Sequence, residues 1–226
     1  SLGFDACFGD GTFALTGSTF GGQGAPSTTK LTRLNTDGKV INVIGEWTRS
    51  PFSFVTMAEV TNLAAGDRLY RADPDAGQVS SYDLNGKLLQ SIRFTDPRVA
   101  ITDAEIENAL KGTIPTNTPA SEVRERMERM RAMDHPTHWE LFGTVQIDPL
   151  GRLWIMHRQL DRTQPGTWTA IDATGKVVAR LVLPPRGKYP FNIIAFGNNS
   201  VLIRRFDDDL ATYLTTYPLV SASAKP

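Results

Sequence analysis

One eight-residue pattern occurs three times in this chain and constrains its fold more than any other feature. The copies are Leu34-Asn35-Thr36-Asp37-Gly38-Lys39-Val40-Ile41, Tyr82-Asp83-Leu84-Asn85-Gly86-Lys87-Leu88-Leu89 and Ile171-Asp172-Ala173-Thr174-Gly175-Lys176-Val177-Val178. Each runs apolar residue, Asn or Asp, two residues, Gly, Lys, two aliphatics. An Asx side chain bonds its own backbone two residues on and Gly supplies a positive φ, so the pattern predicts strand, tight turn, strand. A single such turn is commonplace, but three in one chain make a repeat.

A second shared element precedes each turn. Asp10-Gly11-Thr12-Phe13, Ala65-Gly66-Asp67-Arg68, Leu150-Gly151-Arg152-Leu153 and Asn198-Asn199-Ser200-Val201 each place a turn ahead of a strand. Apolar runs at 52–57, 141–147 and 191–196 come before three of them. Four antiparallel strands in roughly 40–45 residues is the spacing of a β-propeller blade. The expected fold class is therefore all-β, a propeller occupying 1–226 as one domain, with blades near 8–47, 52–95, 138–184 and 189–220. The first blade is expected to lack its innermost strand and the last its outermost. An antiparallel sandwich is the competing arrangement.

Residues 96–137 interrupt the rhythm with a predicted helical pair. Thr102-Asp103-Ala104-Glu105 is a capping box, and Gly112 stands where that helix would stop. Thr118-Pro119 predicts an N-cap followed by Pro at the first helical position. Val123, Met127, Met130 and Met133 then form one apolar stripe, with Glu122–Arg126 and Glu125–Arg129 as i,i+4 pairs. The stripe either covers the chain's own sheets or docks a partner, since Met-rich faces adapt to partners.

Little else in the sequence carries chemistry. The 24 basic and 24 acidic residues give zero formal charge, which argues against nucleic acid as the main partner. No apolar run approaches the ~18–20 residues of a membrane-spanning helix. The start at Ser1-Leu2-Gly3-Phe4 reads as a processed end or a boundary of the ordered part. Cys7, the single cysteine, reads as a small buried hydrophobe. His135 and His138 have Pro136 between them and no third ligand nearby, and His157 reads as a satisfied strand histidine. Asp207-Asp208-Asp209 lacks the alternating oxygen spacing of a calcium loop and reads as a solvated turn, and Gly21-Gly22-Gln23-Gly24 reads as a hairpin loop. Trp47, Tyr82, Trp154, Trp168, Tyr213 and Tyr217 fall where inter-blade packing would use them. No catalytic, cofactor or metal residue is expected. The rival is a calcium-dependent lactonase or hydrolase using Glu59, Asn62, Gln146 and Asn192; a further rival is a sugar- or peptide-binding propeller with a pocket.

Several motifs carry a resemblance. Gly66-Asp67-Arg68-Leu69-Tyr70, Tyr82 to Lys87, the insertion ending Asp134-His135-Pro136, Asp148-Pro149-Leu150-Gly151-Arg152-Leu153-Trp154, Trp168 to Asp172 and Asp207 to Leu210 occur in order. Over about residues 64–219 the chain resembles a bacterial six-bladed β-propeller family. The resemblance implies the C-terminal four blades or so of a six-bladed ring, usual export and no common catalytic residues. Two N-terminal blades are not matched, which leaves ring closure open. More narrowly the chain is similar to membrane-extrinsic S-type subunits of phototrophic reaction-centre–light-harvesting complexes. That similarity implies a cofactor-free structural role, periplasmic and peripheral to the membrane, with reaction-centre and antenna polypeptides as partners. The expected contact residues are Met127, Met130, Met133 and Arg126 of the insertion, Gln23, and Arg162 and Arg186 in the loops 162–166 and 184–188.

Overall fold

The structure, a computed structural model, describes residues 2–19, 27–49, 60–133, 135–159, 163–185, 191–207, 209 and 211–220. Four antiparallel sheets follow one another, and in each the sequence neighbours pair. The first holds β1 (Leu2–Cys7), β2 (Phe13–Thr19), β3 (Ser27–Leu34) and β4 (Val40–Arg49). The second holds β5 (Thr61–Ala65), β6 (Arg68–Asp73), β7 (Gln78–Tyr82) and β8 (Leu88–Arg93). The third holds β9 (Phe142–Ile147), β10 (Leu153–His157), β11 (Pro165–Ile171) and β12 (Val177–Pro185). The fourth holds β13 (Asn192–Phe196), β14 (Ser200–Phe206) and β15 (Thr212–Pro218). These are the blades of a β-propeller fold. Two helices, α1 (Asp103–Gly112) and α2 (Ala120–Arg131), separate the second sheet from the third.

One strand was not foreseen. Leu2–Cys7 pairs with β2 and completes the first blade from within, with a register shift between Phe4 and Ala6. Its six residues are bounded by no upstream turn signal, so the repeat pattern did not extend to them. The shift and the pleat also correct the reading of Cys7. Ala6 and Phe8 are each 5% exposed, whereas Cys7 between them is exposed. Alternate positions of an extended chain face opposite ways. The last blade has three strands among the described residues.

The repeated turn has the geometry its residues predict. Asn35 Oδ1 accepts from the Asp37 and Lys39 amides (3.1 and 2.8 Å), Asp83 Oδ1 from Asn85 and Lys87 (2.9 Å each), and Asp172 Oδ1 from Thr174 and Lys176 (2.8 and 3.1 Å). The same pair of bonds recurs at two further places. Asp148 Oδ1 accepts from Leu150 and Arg152, and Asp207 Oδ1 from Asp209 and Ala211. The Asp207 carboxyl is held below the usual carboxylate range, first by the Tyr213 hydroxyl that donates to its Oδ2 at 2.8 Å. Tyr213 is therefore a turn clamp, 53% exposed, rather than an inter-blade packing residue.

The chain divides into two compact units, Ser1–Asn62 with Asp67–Leu141, and Leu63–Gly66 with Phe142–Pro226. Within the first, Trp47 meets the Tyr82 ring edge-on at 5.7 Å and Arg71 lies over the Trp47 ring. Asn42 donates to the Leu84 carbonyl at 3.0 Å. Within the second, Trp154, Trp168, Ala170 and Leu183 of the third blade close on Phe196, Val201 and Ile203 of the fourth. Trp154 and Phe196 are stacked with centroids 4.2 Å apart, and Tyr217 packs at the margin.

The insertion leaves and returns at one place, because Ile101 donates to the Thr137 carbonyl and Trp139 to the Val99 carbonyl (3.0 and 2.9 Å). The capping box at Thr102 and Glu105 forms in full. At the second helix Pro119 itself occupies the cap position, one residue later than predicted, and no side chain caps it. Met127 and Met130, each 4% exposed, pack on Leu110 with Ile106, Ile114 and Val123 around them. Arg131 grips Glu107 with both Nε and Nη2 (3.0 and 2.6 Å), and this bond is the main cause of the lowered Glu107 pKa. Among the described residues no helix is long and apolar enough to cross a membrane, which says nothing of β-barrels.

Candidate functional site

A cavity of about 100 Å³ opens in the second unit. Strand register explains its walls. Gln146 lies opposite Trp154, Met156 opposite Trp168, and Gly166 opposite Leu183. Side chains two apart on a strand share a face, so Thr144 and Gln146 of β9 join Met156 and Trp168 on one side of the third blade. Phe191, Asn192 and Ile193, where the fourth blade begins, supply the other side. Gln159, beyond the end of β10, completes the polar part of the lining.

The amides of this lining have fixed orientations. Gln146 Nε2 donates to the Ile193 carbonyl at 3.2 Å, and Gln159 Nε2 donates to the Gln164 carbonyl. A carbonyl can only accept, so in both side chains the nitrogen faces the carbonyl with one of its two N–H groups and the oxygen is left over. Neither oxygen has an intramolecular partner among the described residues. With its amide turned to satisfy both neighbours, Asn192 donates to the Phe191 carbonyl and accepts from Arg204 Nη2, each at 3.2 Å. The cavity thus combines aromatic and thioether surface with neutral acceptors. No Asp, Glu, His, Lys or Arg is among its described lining residues.

Of the four residues named for a metal-dependent hydrolase, Gln146 and Asn192 come together in this cavity. Asn62 belongs to the first unit, where its Nδ2 donates to Asp5 Oδ1 at 3.3 Å. Glu59 lies outside the described residues. Among the described residues no group of three or more His, Cys, Asp or Glu is placed to hold a metal. His157 shares a 2.6 Å hydrogen bond with Thr169 Oγ1, as a satisfied strand histidine would.

Of the expected contact residues, Met127 and Met130 lie in the interior of the helical pair, while Arg126 and Met133 are half-buried. Gln23, Arg162 and Arg186 lie outside the described residues. Gly166 and Pro184, from the two loops named with Arg162 and Arg186, line the cavity. Thr144, Gln159 and Phe191 were not singled out in the sequence. A polar residue two before Gln146 was the readable signal for Thr144, whereas Gln159 is brought in by a loop.

No protein-family model and no curated protein matches the chain. Solved structures do resemble it. A prolyl endopeptidase structure aligns over 96% of this chain and 25% of its own, at 14% identity and a TM-score of 0.46. A streptogramin B lyase aligns over 96% and 57%, at 14% identity and a TM-score of 0.33. A 6-phosphogluconolactonase-like protein from Bacteroides uniformis, itself assigned only by likeness, aligns over 97% and 56%, at 13% identity and a TM-score of 0.34. The chain spans between a quarter and somewhat over half of these relatives. At such values the likenesses carry no argument about activity. The similarity to photosynthetic S-type subunits gains no support from these comparisons, and neither does a periplasmic location.

Proposed function

We propose that this propeller binds a small neutral polar group, from a sugar or a peptide, in the cavity of its second unit. The observation that carries the reading is the combination of Trp168, Phe191 and Met156 with the oriented amides of Gln146 and Gln159. Binding pockets are concave and mostly apolar, with a few convergent polar groups that fix orientation. The lining described above has that composition and offers no general acid or base, which favours binding over hydrolysis.

Calorimetric titration with neutral methyl pyranosides and with capped dipeptides tests it, using Gly166→Val to fill the cavity. The nearest atoms to a Cβ at 166 are the side-chain atoms Gln159 Oε1 at 3.6 Å and Gln159 Cδ and Leu183 Cβ at 4.0 Å, so a small side chain enters without displacing backbone. The expected result is binding by the wild type and its loss in a Gly166→Val protein of unchanged melting temperature. Equal binding by the two proteins, or no binding of either ligand class, would end the proposal.

A protein-contact role is the second reading, and it includes attachment as an extrinsic subunit of a membrane complex. It is favoured by the aliphatic residues exposed on outer strands, Val40 at 65%, Leu88 at 52% and Val177 at 59%. Arg126 and Met133 belong to the same reading, with Met127 and Met130 reached only if the helical pair opens. Affinity capture in mild detergent with Val40→Ser/Leu88→Ser beside the wild type tests it. Retention of the same stoichiometric partners by the variant would remove these strands from the contact.

A further inference from the structure

The polar atoms of the cavity narrow the ligand, an inference that rests on the binding reading above. Each lining glutamine gives one N–H to a backbone carbonyl, Gln146 to Ile193 and Gln159 to Gln164, and keeps one N–H beside its Oε1. With its amide turned, Asn192 donates one N–H to Phe191 and accepts from Arg204. The cavity therefore offers two acceptors without an intramolecular partner among the described residues, Gln146 Oε1 and Gln159 Oε1, which take hydrogens from a ligand. A group that merely accepts would leave these oxygens desolvated and unpaired, which costs more than a good contact returns.

Charge then decides which donor fits. An ammonium carries three donors and suits aromatic walls, but it needs a compensating negative charge once out of water. No carboxylate is among the described lining residues, and the Arg204 guanidinium touches Asn192 at the cavity wall. A cation would meet that positive charge at close range. The donor is consequently neutral. A primary amide holds its N–H and C=O groups in one fixed plane. Hydroxyls rotate to suit and can turn their lone pairs outward to solvent.

Size limits the depth of entry. A cavity of about 100 Å³ is smaller than the ~150 Å³ that holds a benzene ring, so one edge of a ring enters and the rest stays outside. An edge bearing two neighbouring hydroxyls, with C–H groups between them, matches two acceptors beside Trp168 and Phe191. We infer that the cavity recognises the edge of a neutral sugar through two hydroxyl groups that donate to Gln146 Oε1 and Gln159 Oε1.

The test compares methyl pyranosides of gluco, manno and galacto configuration with their per-O-methylated counterparts, which keep the acceptors and lose the donors. Binding is read from the side-chain amide and Trp168 indole NMR signals of the whole chain. At least one methyl pyranoside is expected to shift these signals, and its permethylated form to bind about tenfold or more weakly. Gln159→Met is expected to weaken the free pyranoside by about tenfold and the permethylated form by clearly less. Equal binding of both forms would overturn the donor inference and leave a cavity that works by aromatic contact alone. Binding of capped dipeptides without any pyranoside would overturn the sugar but keep the cavity. Silence from both ligand classes would take the binding reading down as well.

Discussion

Asp148→Ala should cost the second unit far more than the same change at Asp172, although both residues build the same turn. At Asp172 the acid is solvent-facing and its bonds go to the Thr174 and Lys176 amides and the Thr174 hydroxyl. Asp148 is 4% exposed, and its Oδ2 also accepts from Arg152 Nε at 2.6 Å and from the indole nitrogen of Trp154 at 2.9 Å. Trp154 is 1% exposed, so removing the carboxylate strands a donor in the interior, at about 2 kcal/mol. The ion pair adds about 1 kcal/mol, discounted because the Arg152 side chain is 23% exposed. The two turn bonds add about 1 kcal/mol more, for a sum of about 4 kcal/mol. A chain with two compact units need not unfold in one step, so the assay is native-state hydrogen exchange at the β10 and β11 amides. A similar loss of protection in Asp148→Ala and Asp172→Ala would refute the argument that burial, not the turn, sets the cost.

Three other outcomes follow from the same structure. Gly86 and Gly38 have φ of +85° and +78° in equivalent turns, but a Cβ at 86 falls on the Ile44 carbonyl while one at 38 meets nothing within 4 Å. Gly38→Ala should cost about 1 kcal/mol of backbone strain and Gly86→Ala clearly more, since a packed carbonyl must move; urea unfolding of the first unit gives both values. Asp10, Glu107, Asp172 and Asp207 all titrate below the ordinary carboxylate range in the fold, so their contribution is present above about pH 4 and is lost as the pH falls through the lowered values. Melting temperature should decline on that acid limb, and less steeply in Asp207→Asn, which also releases the Tyr213 hydroxyl from the partner that raises its pKa. Cys7 should react with a thiol reagent in the native chain at nearly the rate of an unfolded control; strong protection would contradict its exposure.

The blades were legible because their turns repeat, and the turns repeat because one Asx oxygen serves two amides. The motif was found only where Gly and Lys follow in the same places. Asp207 makes the same bonds in a stretch without that Gly and Lys, and Asp148 makes them in a Gly turn that was aligned with a different element of the blade. The alternation at Ala6, Cys7 and Phe8 was readable only once Leu2–Cys7 was known to be a strand. The Met stripe of α2 was visible from its spacing, but that Leu110 of the other helix receives it depends on the return of the insertion to Val99 and Ile101. Of the cavity, Gln146 and Asn192 stood out as polar residues on inner strands. The orientation of their amides did not, because it depends on carbonyls 47 and 1 residues away.

The most direct measurement is a crystal structure of the chain with the tightest-binding methyl pyranoside. The account predicts the sugar seated at one edge against Trp168 and Phe191, with two hydroxyls within hydrogen-bond distance of Gln146 Oε1 and Gln159 Oε1. A sugar ordered elsewhere on the chain, with the cavity holding only water, would contradict it.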